Sequence, residues 1–148
     1  MSEIKVRGLN NADRENWLYL YKLYADFYKI SLTRIGTETT WNWLMDPAHP
    51  CTGIIAEQDS KIIAFAHFRE MPSPLRGENI GFLDDLYVLP SSRGGKVVKL
   101  LFKSLKQHSQ DKKWQIVRWI TRDDNYRAKK AYDKVARKTD WDTYEMKI

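Results

Sequence analysis

The sequence predicts an α/β fold with a mixed central sheet flanked by helices, in the order β-α-α-β-β-β-α-β-α-β. Two observations carry this prediction. Apolar residues recur at helical spacing in Trp17–Tyr28, Val97–His108 and Ala128–Val135, whereas Gly53–Glu57, Ile62–Phe68 and Ile80–Leu89 are β-branched or aromatic runs of strand length. Strand and helix patterns then alternate through the second half, as layered α/β domains require.

Ile4–Leu9 reads as the first strand, and Asn11 or Asp13 is placed to cap the helix after it by accepting bonds from its free amides. Trp17, Leu20, Tyr21, Tyr24 and Tyr28 share one face of that helix, and a second helix is expected from Thr39 to Met45. Asp46-Pro47 and His49-Pro50 end it, since a residue before proline disfavours helical geometry. Gln58-Asp59-Ser60-Lys61 reads as a hairpin turn between the second and third strands, and Met71–Glu78 as a loop. Ile80–Leu89 is apolar except for Asp84-Asp85, and two carboxylates inside such a strand need partners, solvent or a function. Val97, Leu101, Leu105 and His108 mark the next helix, Gln115–Thr121 the next strand, and Asp123-Asp124-Asn125 the start of the last helix. Lys138–Ile148 is expected to close the sheet as an extended strand.

A chain of 148 residues buries enough surface to fold as one domain over residues 1–148, without staples. The single Cys51 excludes an internal disulfide, and with three scattered histidines it does not suggest a metal site. No stretch approaches the roughly 20 apolar residues that cross a bilayer, so a cytoplasmic setting and no membrane partner are expected. A net charge of +6 favours an anionic partner, polymer or phosphorylated cofactor. The basic residues cluster in Arg93–Lys113 and Arg127–Lys138, with Asp84, Asp85, Asp123 and Asp124 just before those segments, unlike a basic tail.

Phe82–Leu89 runs directly into Pro90-Ser91-Ser92-Arg93-Gly94-Gly95 and then a helix. Free amides and the positive dipole end at such a helix start suit phosphate oxygens, and Arg93, Lys96 and Lys99 add charge. This stretch resembles the acetyl-CoA motif of the GNAT superfamily of N-acetyltransferases, R/Q-x-x-G-x-G/A after a V-x-P strand end: Val88-Leu89-Pro90 and Arg93 match. The two glycine positions hold Lys96 and Val98, while Gly94-Gly95 lie earlier. Asn125-Tyr126-Arg127-Ala128-Lys129-Lys130-Ala131-Tyr132 is similar to that family's N-x-x-A-x-x-x-Y element, whose ends lie two helical turns apart on one side. Leu83-Asp84-Asp85-Leu86-Tyr87-Val88 and Lys138-Thr139-Asp140-Trp141 resemble a branch that includes yeast-type histone and D-amino-acid acetyltransferases; the first also looks like the polyamine acetyltransferases, which carry glutamate at the position of Asp84.

The resemblance implies the GNAT acyl-CoA N-acyltransferase fold and transfer of an acetyl group from acetyl-CoA to a primary amine of a small molecule or protein, by direct attack in a ternary complex. It implies acetyl-CoA binding by Leu86, Tyr87, Val88, Arg93, Gly94, Gly95, Lys96, Val97, Val98 and Lys99, with Asn125 and Ala128 on the pantetheine arm. Asp84, with Asp85 next, is the expected proton acceptor for the amine, and Tyr132 the proton donor to the departing sulfur. A main-chain amide near Val88 would face the developing negative charge. Adjacent residues of a strand face opposite ways, so Asp84 and Asp85 share a cleft only if a bulge intervenes. Tyr24, Tyr28, Trp41 and Trp43 are expected to surround the acceptor cation, together with Asp84. His67 is read as a buried strand residue, and Cys51, with no activating base nearby in sequence, suggests no covalent mechanism. Relatives of this kind are often dimers, so a homodimer is expected. Two rival readings are a non-catalytic domain of the same fold and a basic nucleic-acid-binding protein; no RNA or DNA motif supports the latter.

Overall fold

The computed structural model describes residues 2–148. Strand β1 (Lys5–Gly8) leads through a 3₁₀ turn (Asn11–Asp13) into α1 (Arg14–Phe27), followed by α2 (Arg34–Met45). Then come β2 (Cys51–Gln58), β3 (Lys61–Ser73) and β4 (Glu78–Val88). A 3₁₀ turn (Pro90–Ser92) precedes α3 (Val97–Asp111), β5 (Val117–Arg118) and α4 (Tyr126–Asp133). The sheet runs β1-β2-β3-β4-β5, antiparallel from β1 to β4, with β5 parallel to β4 after the α3 crossover.

Local chemistry sets these boundaries. Asn10, one residue before the expected caps, accepts a bond from Ala12 N at 2.9 Å, while Asp13 accepts one from Asn10 N at 2.8 Å. This reciprocal box starts the first helical turn. Arg7 on β1 grips Asp13 with two nitrogens at 2.8 and 2.9 Å and reaches Glu57 on β2 at 3.2 Å, tying three elements together. Helix α2 begins earlier than its apolar pattern suggests because the Thr33 hydroxyl accepts a bond from Gly36 N at 3.0 Å. Asp59 and Ser60 take φ of 53° and 61°, the two left-handed residues that a tight hairpin needs.

Three expectations are corrected. Half of the Met71–Glu78 loop is strand: the β3–β4 ladder runs on to Ser73 opposite Glu78, with Pro72 opposite Asn79, and only residues 74–77 turn. The strand expected over Gln115–Thr121 pairs only at Val117 and Arg118, opposite Gly81 and Phe82. Lys138–Ile148 forms no strand, and every one of its residues is exposed. Tyr144, Met146 and Ile148 alternate as a half-buried strand would, but a strand needs a paired edge, and the five-stranded sheet takes no partner from this segment.

The sheet separates two apolar layers. Ala64, Ala66 and Phe68 of β3 pack with Leu83, Val88 and the α3 residues Val97, Leu101, Phe102 and Leu105. Phe65, with Ile55 and Tyr87, faces Leu20 of α1 instead. Gly81 is where β4 meets β5, and a side chain there would sit 2.5 Å from the Trp114 ring, so only glycine permits that approach. Trp114 is held in place by its Nε1, which donates to Glu70 at 2.8 Å.

Candidate functional site

The β3–β4 register slips at one point: His67 pairs with Asp85, but Phe68 pairs with Leu83. Asp84 is the extra residue, and this bulge overrides the alternation that would send Asp84 and Asp85 to opposite faces. Both carboxylates line one cleft of about 310 Å³, with Tyr21 from α1, Trp43 from α2, Cys51 from β2 and Arg69 from β3.

The two carboxylates differ in their partners. Arg69 Nε donates to both oxygens of Asp84, at 2.9 and 3.2 Å. Loss of solvent raises the Asp84 carboxyl above its ordinary value, partly opposed by Arg69. Asp85 Oδ2 lies 2.8 Å from His67 Nδ1 and 3.5 Å from the Tyr21 hydroxyl. His67 Nε2 in turn lies 2.8 Å from Trp17 Nε1, and both rings are buried. Burial and then the charge of Asp85 raise the phenols of Tyr21 and Tyr24, so both are proton carriers rather than anions. Burial likewise raises the Cys51 thiol, with Asp84 adding to the effect, which keeps it from acting as a thiolate nucleophile.

Three of the aromatics expected around the acceptor do not line this cleft. Trp41 is buried with its ring 5.0 Å from Trp17, while Trp43 stands at the cleft and stacks on His49 at 4.9 Å. Two residues apart on a helix, Trp41 and Trp43 cannot share a face. Tyr24 packs edge-on against Phe65 and Tyr87, and Tyr28 against Tyr24. Of the row Tyr21–Tyr24–Tyr28, Tyr21 lines the cleft, Tyr24 feels the charge of Asp85 from behind it, and Tyr28 lies beyond. Burial, with a smaller contribution from Tyr28, pushes the Tyr132 phenol up to about 12. Tyr132 sits edge-on to Phe102 and Trp119 at the foot of α4.

On the other edge of β4, beyond Phe82, β5 offers no partner, so the two parallel strands part. Leu89 N bonds to Ile63 O on β3, whereas Val88 O accepts from Arg93 Nε at 2.9 Å. The N–H and C=O of one antiparallel residue point the same way, so the Val88 amide faces the open edge. Leu86, two residues earlier, shares that orientation. Tyr87 turns its backbone to Phe65 on β3 and offers its buried ring to the Arg93 guanidinium, 5.3 Å away.

Next along the chain, α3 starts with no side-chain cap, and its first helical bond runs from Leu100 N to Lys96 O. The amides of Val97, Val98 and Lys99 are therefore without helical partners. Gly94 adopts φ 81°, a conformation that favours glycine, and no atom lies within 4 Å of where a side chain on Gly94 or Gly95 would begin. The side chains at the altered motif positions turn elsewhere: Lys96 is exposed, and Val98 packs on the core beneath α3. A roomy loop, free amides and the nearby Arg93, Lys96 and Lys99 fit a pyrophosphate. Asn125 caps α4, accepting from Ala128 N at 3.4 Å, and so brings Ala128 and Tyr132 to the same end of the sheet as Trp119.

The cleft gathers both carboxylates singled out in the sequence and adds Tyr21, Arg69 and the hydrogen bonds of His67, which the sequence did not indicate. Arg69 lies two residues after His67 on β3, a spacing that places both on one strand face in a regular ladder; the partner positions on β4 were the missing information.

The Acetyltransferase (GNAT) family model matches residues 17–136. The D-amino-acid N-acetyltransferase HPA3 of Saccharomyces cerevisiae is 30% identical over 139 residues, covering 93% of this chain and 86% of that protein. Among solved structures, the aminoglycoside N-acetyltransferase AAC(6')-Iy with a bisubstrate analogue superposes with a TM-score of 0.86 at 20% identity, covering 99% of each chain. A ribosomal-protein-alanine N-acetyltransferase from Brucella melitensis biovar Abortus 2308 gives a TM-score of 0.80 at 21% identity, covering 99% of this chain and 100% of that one. These two likenesses speak for the fold.

Proposed function

Since the chain belongs to the GNAT family of acetyltransferases and is an acetyl-CoA-dependent N-acetyltransferase, we propose that Asp85 takes the acceptor's proton, that Asp84 with Arg69 anchors the acceptor, and that Tyr132 protonates the leaving sulfur. The observation that carries this reading is the bulge at Asp84, which brings both carboxylates to one cleft.

Acetyl-CoA supplies an activated thioester carbonyl. The amides of Val97, Val98 and Lys99, with the charges of Arg93, Lys96 and Lys99, hold its pyrophosphate; the outward backbone of Leu86 and Val88, with Asn125 and Ala128, takes the pantetheine arm. A primary amine with a pKa of about 10 reaches the cleft as ammonium and must lose a proton before it attacks. Asp84 is already gripped by Arg69, so Asp85, whose Oδ1 takes no bond from His67 or Tyr21, is the better acceptor of that proton. The Val88 N–H faces the side where negative charge develops on the carbonyl oxygen. The Tyr132 phenol, up at about 12, carries its proton at neutral pH, gives it from Oη to the departing sulfur, and regains one from solvent as the attacking nitrogen releases its second proton.

The cleft is compact, and Arg69 stands beside the carboxylates. An amino acid fits this pairing, with its ammonium at Asp85 and its carboxylate toward Arg69, and the yeast relative is named for D-amino acids. A screen of D-phenylalanine, neamine and spermine should show the amino acid turning over fastest; preference for spermine would sink the Arg69 pairing. The non-catalytic reading is tested by melting temperature: acetyl-CoA at 100 times Kd should stabilise by about 2.7 kcal/mol, and no shift at millimolar ligand would overturn acetyl-CoA binding. We further read the protein as a cytoplasmic homodimer. The exposed Lys138–Ile148 segment, with its alternating Tyr144, Met146 and Ile148, supports a second copy as its partner. Light scattering of a chain ending at Arg137 should then give a monomer.

A further inference from the structure

His67 is buried at 2% exposure, and both of its ring nitrogens are engaged, one by Trp17 and one by Asp85. The indole N–H of Trp17 can only donate, so His67 Nε2 must accept with a lone pair. The imidazole proton therefore sits on Nδ1 and points at Asp85 Oδ2. The contact is a hydrogen bond from a neutral ring to a carboxylate, and its direction is dictated by a residue on another element, 50 positions away in sequence.

We propose that Trp17 is a positioning residue for acetyl transfer: by fixing the tautomer of His67, it makes His67 donate to Asp85 Oδ2 and so presents Asp85 Oδ1 to the acceptor amine. The Trp17 indole is itself locked between Tyr21, at 5.2 Å, and Trp41, at 5.0 Å, so the donor cannot swing away. Without it, Nε2 loses the donor that holds it as an acceptor, and the Asp85 carboxylate alone is left to oppose the other tautomer, in which Nδ1 would turn a lone pair toward it. Besides His67, the groups that face Asp85 are Tyr21 and Tyr24 from α1 and the neighbouring Asp84 on β4. The Tyr21 hydroxyl stands at 3.5 Å from Asp85 Oδ2, against 2.8 Å for the imidazole. Among these groups His67 therefore supplies the close bond that sets the carboxylate's rotation. Asp13, the buried aspartate among the described residues, is held by Arg7 and Asn10 and has no such link to a second residue's protonation.

The inference rests on Asp85 being the proton acceptor, and the experiment separates the two. In histidine-labelled protein without substrate, ¹⁵N–¹H correlation spectra should show His67 with its proton on Nδ1; a proton on Nε2 would overturn the proposal whatever Asp85 does. Trp17→Phe keeps an aromatic ring but removes the donor. It should admit the Nε2-protonated tautomer into the mixture and lower kcat at least ten-fold on the fastest of the three screened amines, with Kd for acetyl-CoA unchanged by calorimetry. His67→Asn, which retains a donor near Nδ1, should keep more of kcat than His67→Phe at matched melting temperature. A tautomer lost in Trp17→Phe with kcat intact, or equal kcat in the two His67 variants, would show the network to be structural only. If Asp85→Asn is fully active while the tautomer is as stated, the assignment of the base fails and this positioning role falls with it.

Discussion

Around Asp84 and Asp85 the groups proposed to recognise the acceptor are side chains tied to other side chains, whereas those proposed to face the cofactor are backbone amides at the edge of β4 and the start of α3. The acceptor half depends on which residues stand at Trp17, His67, Arg69, Asp84 and Asp85, and on a single-residue bulge that brings them together. The cofactor half depends on the chain path: a strand that parts from its neighbour, a left-handed Gly94 and an uncapped helix. Side-chain networks specify one acceptor shape and fail when a member is changed. Backbone cradles tolerate replacement of the residues around them, which is why Lys96 and Val98 can stand where glycines are expected.

That contrast predicts where single substitutions hurt. Asp85→Asn should cut turnover by about 100-fold or more, the usual range for loss of a positioned base, while calorimetry finds the acetyl-CoA Kd unchanged; a weakened Kd instead would mean that the two halves are not separate. Tyr132→Phe should lower turnover about ten-fold or more, again at constant acetyl-CoA affinity, and wild-type turnover would remove Tyr132 from the mechanism. Lys96→Gly, which restores the motif residue in the backbone cradle, should change acetyl-CoA affinity by only a few-fold, because Lys96 contributes an exposed charge and no contact that shapes the loop. The smallest effect lies outside both halves. Hydrogen bonds from Arg7 depress the Asp13 carboxyl, so its contribution to stability is present above its unfolded value, near pH 4, and is lost as pH falls through the lower folded value. Asp13→Asn should cost about 2 kcal/mol at pH 7, a gap in urea midpoints that narrows below pH 4 with no change in turnover per folded molecule.

The same contrast explains what could be read in the sequence. The cofactor half is a local chain path, and the runs Val88–Pro90, Arg93–Gly95 and Asn125–Tyr132 carry it within contiguous residues. Strand identities and the faces of α1 and α3 follow equally from periodicity. The acceptor half is non-local. Asp84 and Asp85 were visible as an anomaly in an apolar strand, but the bulge that gathers them is a property of register against β3, and the Trp17–His67 bond spans 50 positions. Helical geometry would have separated Trp41 from Trp43, since they lie two residues apart. Pro72 misled because proline signals a break, yet a strand accommodates it where no ladder bond needs its nitrogen. The closing segment from Lys138 has the alternation of a strand but no place in the described sheet.

Trp114 lying over Gly81 gives β4 two lifetimes. At Gly81 and Phe82 the strand is bonded on both edges, so its amides there exchange with solvent only when the sheet itself opens. From Leu86 to Val88 one edge is bare, and the amides on that edge should exchange within the dead time of an ordinary deuterium experiment. The indole on the glycine thus marks the boundary between a permanently closed sheet and a stretch that waits to be completed by a ligand. A bulkier residue at position 81 would move that boundary and loosen the slow half, although it lies far along the strand from any reacting atom.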